Sequence, residues 1–202
     1  MTRPSRFVLF ASSLLMAGWA VTPVGGLAAA APAVADRAQA ESLKLNTIFD
    51  EYFEAYLQQN PILATSIGDP RYNDRFVVGI SPAAIAAEQK LQRDSLARLQ
   101  TIDRAVLPAA DQVSYDIFRT GREREIEGFK FPDELIPLNQ FYSTPNSFAQ
   151  LGSGNGMQPF KTVQDYDNFL KRLDGFAAWT DQAIVNMKQG VQRGYTLPKV
   201  LA

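Results

Sequence analysis

The sequence predicts an all-α protein, an irregular multi-helix array interrupted by one loop region rich in proline, glycine and aromatic residues. Three observations carry that prediction. Apolar residues recur at three- and four-residue steps through most of the chain beyond residue 41, helix start and stop signals bracket those runs, and no convincing series of alternating strands or fixed-period repeat is present.

The first mature element runs from residue 42, where Leu45, Ile48, Phe49, Tyr52, Phe53, Tyr56 and Leu57 form an apolar stripe with Lys44, Asp50, Glu51, Glu54 and Gln58 between them. Asn60-Pro61 ends it and opens a short helix over 62–67, which Gly68 stops. A turn-rich loop follows over 69–75. Ser81-Pro82 then supplies an N-cap and a first-turn proline for a helix over 83–102, whose apolar face is expected to be Ile85, Leu91, Leu96, Leu99 and Ile102. Leu107-Pro108 opens the next helix, which passes Val113, Tyr115, Ile117 and Phe118 into a charged run over 119–127. Arg119, Arg122, Glu123, Arg124, Glu125 and Glu127 mix both signs at helical spacing, so that run reads as a solvated face with local ion pairs. Between residues 128 and 160 the periodicity fails, because Pro132, Pro137, Pro145 and Pro159 forbid a continuous helix. Phe129, Phe131, Phe141, Tyr142 and Phe148 require that this segment still pack against something. Thr162 with Asp165 reads as a capping box for a last helical stretch, which Gly175 divides into two and Gly194 and Pro198 close.

The N-terminus has a separate task. Arg3 and Arg6 precede an apolar run over 7–21, Pro23, Gly25 and Gly26 break it, and Ala33-Val34-Ala35 supplies the small residues that a signal peptidase reads. Residues 1–35 are therefore expected to be a secretory signal peptide cut after Ala35, with Ala38-Gln39-Ala40 as a second candidate cut. The alternative, an uncleaved anchor, has an apolar run shorter than the roughly 20 residues that span a bilayer. The expected product is exported to the periplasm or the extracellular space, with no stable membrane anchor. Removing 35 of the 202 residues leaves 167, enough for one domain over 36–202. The leader holds two of the 20 Lys+Arg and none of the 21 Asp+Glu, so the mature charge is −3, which argues against nucleic acid as a partner.

Not one histidine and not one cysteine occurs in the chain. A protein zinc site prefers those ligands, and the hard-metal alternative needs a tight carboxylate cluster that the helically spread Asp and Glu do not form. Glu123, Glu125 and Glu127 diverge around a helix and do not converge on one ion. No metal or other cofactor is thus expected in this chain. A serine nucleophile would need lysine or a carboxylate as its base; no Ser-x-x-Lys occurs, and Thr196-Leu197-Pro198-Lys199 only mimics the spacing beyond a helix end. Gly152, Gly154 and Gly156 suggest a phosphate cradle, but Met157 occupies the place of the third fingerprint glycine, so a flexible loop is the better reading.

The best polar constellation left lies in the loop over 69–75. Arg71, Tyr72, Asp74 and Arg75 are the candidate residues, since arginine forks could hold a substrate carboxylate. The preferred reading is that the two arginines pair with Asp69, Asp74 or nearby helix ends to fix the loop, because such loops must satisfy their own backbone.

Taken together, several segments resemble the N-terminal half of a bacterial family known as domain of unknown function 885. They are Asn60-Pro61-Ile62-Leu63-Ala64-Thr65-Ser66-Ile67-Gly68-Asp69 with Arg71-Tyr72-Asn73-Asp74-Arg75, then Asp165-Tyr166 with Phe169 and Arg172-Leu173, and finally Gly190-Val191-Gln192-Arg193-Gly194-Tyr195-Thr196-Leu197-Pro198-Lys199. The resemblance implies an almost wholly helical fold around a deep cleft, peptide as substrate, and a zinc held by a His-Glu motif in a second half that this sequence does not contain. The fold is then incomplete relative to that of the full family. Arg71, Tyr72, Asp74, Arg75 and Arg172 carry over as motif positions, while no metal ligand or catalytic glutamate does. The leading expectation is an N-terminal part of an exported peptidase-like hydrolase, inactive alone. The alternatives are a helical module that binds peptide or protein without catalysis and a carboxylate-dependent hydrolase. Apolar faces at Tyr166, Phe169, Leu173 and Phe176, and the aromatics between Phe129 and Phe148, are expected to be partly uncovered, with marginal stability as the result.

Overall fold

The computed structural model describes residues 30–139 and 143–201, and six α-helices with four single 3-10 turns account for most of them. No strand occurs among the described residues; one isolated antiparallel bridge joins Leu138 to Ser143. The predicted all-α class therefore holds. The N-terminal apolar run over 7–21, together with Phe141 and Tyr142, lies outside the described residues. Helix α1, Ala30–Gln59, begins twelve residues before the predicted start at residue 42 because the alanine-rich stretch favours helix, so both candidate cuts fall within it.

Helices α1, α3 (Pro82–Leu99) and α4 (Ala109–Gly128) form one layer. Leu45 and Ile48 of α1 pack with Leu99, Ile102, Leu107 and Tyr115, while the ring of Phe118 sits 4.8 Å from Phe49 and edge-on to Tyr52 at 5.1 Å. The expected apolar face of α3 is only partly used. Leu99 and Ile102 are buried, but the inward stripe continues upward through Ser95 and Gln92 rather than through Leu96 and Leu91. Residues 92, 95 and 99 follow the helical repeat, and the buried Gln92 donates through Nε2 to Glu88 and to the hydroxyl of Tyr52, while its Oε1 has no hydrogen-bond partner.

The second layer is α6, Val163–Arg193, a continuous helix of 31 residues. The predicted break at Gly175 does not occur. Glycine is placed there because a Cβ would lie 2.7 Å from the carbonyl oxygen of Phe76, so its absence lets the chain over 75–78 press against the helix. The capping box of Thr162 and Asp165 starts α6 as predicted, and Gly194, at φ +78°, ends it with Tyr195 N–H donating to Gly190 O at 2.8 Å. Three short elements complete the fold: α2 (Pro61–Ser66), which contacts α1, the turn Pro70–Tyr72 against α2, and α5 (Thr144–Leu151) against α6. The α5 helix is a correction, since the proline density over 128–160 points to an irregular run. Pro145 falls in the first turn, where no N–H is needed, and Ser143 caps it.

Phe148 of α5 stacks on Phe176 at 4.4 Å and on Phe169 at 5.5 Å, and Phe76 meets both Phe148 and Phe176 edge-on. Phe169 and Phe176 are therefore packed, against expectation, whereas Tyr166 and Leu173 are exposed as expected. Val163, Tyr166, Leu170, Leu173, Ile184 and Val191 form an uncovered apolar stripe opposite the buried face of Arg172, Trp179, Ala183, Asn186 and Gly190. Helix α6 is thus apolar on two sides.

The close approach at Gly175 is testable against a second helical glycine. Gly175→Ala is expected to destabilise the fold by about 1–3 kcal/mol through overpacking on Phe76, while Gly121→Ala in α4, where a Cβ meets open space, is expected to stabilise it by about 0.5–1 kcal/mol. Urea unfolding followed by circular dichroism at 222 nm measures both.

Candidate functional site

The loop over 69–75 is closed on itself. Asp69 caps the turn Pro70–Tyr72 by accepting from the backbone N–H of Arg71 at 3.0 Å, and it accepts again from Nε and Nη2 of the same arginine. Glu54 of α1 takes the remaining edge of that guanidinium, with Nη1 to Oε2 at 2.8 Å and Nη2 to Oε1 at 2.9 Å. These bonds hold the carboxyls of Asp69 and Glu54 below their ordinary pKa and raise that of Arg71. Both prongs of the fork are occupied. The guanidinium groups of Arg71 and Arg75 also lie 5.3 and 5.1 Å from the ring centre of buried Tyr72, and Asp74 faces Lys171 at 3.5 Å.

Arg172 is fully buried behind that loop. Its Nε donates to Arg75 O at 3.1 Å, Nη2 donates to Thr65 Oγ1 at 2.6 Å, Tyr72 O at 3.1 Å and Pro61 O at 3.3 Å, and Nη1 donates to Gln158 Oε1. Thr65 passes its own proton to Asn73 Oδ1 at 2.7 Å. No carboxylate bonds the guanidinium, and burial pulls its pKa down to about 10, with Asp74 opposing the shift, so it keeps its charge at neutral pH. The five motif residues are thus brought together, Arg71, Tyr72, Asp74 and Arg75 on one side of the loop and Arg172 on the other, as a satisfied joint between α6 and the first layer. The fork of Arg71 is thereby occupied, whereas the exposed guanidinium of Arg75 lies 3.9 Å from Asp74 and over the ring of Tyr72.

A different surface is open. Helices α3 and α4, the chain after α4 and the end of α6 enclose a cleft of about 570 Å³. Glu88 and Glu125 project from one side, Asp133 and Glu134 from the turn Asp133–Leu135, and Arg193 and Tyr195 from the end of α6. None of those four carboxylates takes part in an ion pair among the described residues, whereas Lys130 on the rim is bonded to Glu127 at 2.6 Å. Gly190 shapes the floor of this region, since a Cβ there would lie 2.8 Å from Leu135 O and 2.9 Å from Tyr195 O. The cleft is not legible in the sequence because its walls come from three stretches far apart in the chain, 79–89, 125–134 and 193–195. The charged run of α4 contributes Glu125 to it, but Arg122 is not the solvated residue the spacing suggests. Its guanidinium lies 4.0 Å from the ring centre of Tyr52 and 4.9 Å from that of Phe118, with Nε and Nη1 buried and without hydrogen-bond partners. Arg119 behaves as predicted, near Asp116 at 3.7 Å and Glu123 at 3.9 Å.

A family model described as bacterial protein of unknown function (DUF885) matches residues 61–202. The chain belongs to this family. The match covers α2 through the last turn and includes the joint and every wall of the cleft. No curated protein and no solved structure matches the chain. For the DUF885 chain in hand, the zinc implied by the resemblance finds no fit: His and Cys are missing from the sequence, and no three Asp or Glu among the described residues are placed to hold an ion. A carboxylate acid working near neutrality needs a raised pKa. Every carboxyl whose pKa clearly departs from the ordinary range departs downward, for Glu41, Glu54, Asp69, Asp116, Glu127 and Asp165. Nor is any helix of the described residues long and apolar enough to cross a membrane.

Arg172→Met is expected to lower stability by about 3 kcal/mol or more, because several buried acceptors lose their donor together. Arg172→Lys is expected to recover little of that loss, an ammonium being unable to span the same acceptors; urea unfolding reads both. Acid sensitivity tests the outer half of the joint. Carboxyls with lowered folded pKa stabilise above their unfolded pKa near 4 and lose that contribution as pH falls through the folded value. The urea midpoint is therefore expected to fall as pH drops below about 4, and Arg71→Gln, which frees Asp69 and Glu54, to make that fall shallower.

Proposed function

We propose that this DUF885 chain is the substrate-holding, non-catalytic part of an exported peptidase-like hydrolase, and that it holds peptide in the cleft between α3, α4 and the end of α6. The observation that carries this reading is the cleft itself. It is roomy enough for a few residues of chain, is lined by backbone at Gly79 and Gly128 and by aromatic surface at Phe129 and Phe131, and bears four carboxylates with which no cation pairs among the described residues. The lack of a zinc-competent ligand set supports a holding role over a chemical one, and the Arg-led apolar N-terminus supports export.

A protein-binding module is the second reading, favoured by the uncovered stripe on α6, where Val163 is 79% and Val191 67% exposed. Two measurements decide between them. Fluorescence anisotropy with a mixture of labelled unstructured peptides is expected to show saturable binding without cleavage; cleavage of the bound peptides by the purified chain alone, or no saturation with any peptide, overturns the first reading. Fractionation of expressing cells is expected to recover a product outside the cytoplasm whose mass corresponds to a start at Asp36, and retention of the full-length mass in the cytoplasm overturns export.

A further inference from the structure

The uncovered stripe of α6 keeps an interval that a merely solvated surface does not require. Val163, Leu170, Ala177, Ile184 and Val191 stand seven residues apart, and Tyr166, Leu173, Thr180 and Met187 repeat that spacing three residues later. Only Met187 among them is partly covered. Steps of three and four thus alternate without a fault along about 40 Å of helix, which is the seam that one α-helix offers to another. Ala177 and Thr180, in its middle, are small, so a neighbouring helix can come close there. The residues that this fold buries on α6, among them Arg172, Trp179, Ala183 and Asn186, all lie off the seam.

One edge of the seam is charged. Asp167, Asp174 and Asp181 also stand seven residues apart, directly after Tyr166, Leu173 and Thr180. All three are exposed and none takes part in an ion pair among the described residues; Lys171, one turn from two of them, faces Asp74 instead at 3.5 Å. A second copy of this chain does not match that edge. Laid antiparallel along the seam, it would set Asp174 of each copy beside Asp181 of the other. Laid parallel, it would bring the acid row against Phe169 and Phe176, which already pack on Phe148. A helix whose own seam is edged by lysine or arginine does match.

We infer that α6 docks, along this seam, a helix of a partner protein that repeats apolar residues at the same interval and sets a row of lysine or arginine against Asp167, Asp174 and Asp181. This goes beyond peptide holding, uses none of the cleft's residues, and gives the protein-binding reading a partner of stated chemistry. Apolar contact supplies the affinity, and the acid row selects the partner and its register.

The test uses the full chain and two labelled synthetic helices of about four heptads, with leucine at every seam position and either lysine or glutamate at the positions that edge it. Fluorescence anisotropy reads binding at low and physiological salt. The lysine helix is expected to bind about ten-fold or more tightly than the glutamate helix, by a margin that shrinks as salt rises. Leu170→Glu with Ile184→Glu is expected to abolish binding, and the milder Leu170→Ala with Ile184→Ala to weaken it several-fold. Ile117→Glu, at another exposed apolar position on α4, and the cleft pair Glu88→Gln with Glu125→Gln are expected to leave it unchanged, with circular dichroism checking the fold of each variant. Asp167→Asn with Asp174→Asn and Asp181→Asn is expected to erase the preference for lysine. No binding of either helix, equal affinity for both, or binding that survives the seam substitutions overturns this inference and leaves peptide holding in the cleft intact. Loss of the lysine preference on changing the cleft pair overturns it too, since the acidic cleft then takes the helix. So does a dimer in sedimentation equilibrium that Leu170→Glu with Ile184→Glu dissociates, because the seam then takes a second copy.

Discussion

The position of α6 depends on one buried cation. Arg172 has no carboxylate bonded to it, and its charge is instead distributed over three backbone carbonyls, the Thr65 hydroxyl and the Gln158 amide. Burying a guanidinium in this way is costly, which is why its pKa falls, and the cost is met only if every acceptor stays in place. The acceptors come from α2, from the middle and the end of the motif loop and from the chain before α6. Moving any of these segments would strip a donor from its acceptor in a dry environment, so one side chain fixes the relative position of three stretches of backbone.

Steric contact completes what the cation begins. Gly175 admits the backbone of Phe76, Gly190 admits that of Leu135 and Tyr195, and Asn186 between them bonds Ile80 O. These residues lie on one face of α6, and each receives a piece of chain that connects to the α1, α3 and α4 layer. The cleft exists because of this spacing: Gly175 and Asn186 set the course of segment 75–80 along one wall, and Gly190 sets the turn Asp133–Leu135 on the other.

Local signals made most of the helices legible. The 3.6-residue repeat of α1, the Ser81-Pro82 start of α3 and the Thr162–Asp165 box of α6 are decided by residues close in sequence. Legibility failed where a distant partner decides. Gly175 reads as a break unless Phe76 is known to press on it, and Gln92 reads as solvent-facing unless Tyr52 and Glu88 are known to receive it. The motif over 69–75 could be recognised as a polar constellation, and its self-closure argued from backbone satisfaction, but the reach of Arg71 to Glu54 spans 17 residues and that of Arg172 to Arg75 spans 97. Nothing local announces the cleft.

Net charge conceals the cleft for the same reason. At −1 over the whole chain the sequence looks nearly balanced, yet balance in sequence is not balance in space. The fold uses many of its cations internally: Arg71 on Asp69 and Glu54, Arg98 on Glu51, Arg104 on Asp116, Arg122 on the ring of Tyr52, and Arg172 on backbone. Acids outside those pairings outnumber the cations where the fold gathers them, and it gathers Glu88, Glu125, Asp133 and Glu134 around one hollow with Lys130 and Arg193. A locally negative surface on a nearly neutral protein follows from where the arginines are placed. The residues that hold the fold together thereby also determine which charge its open cleft presents.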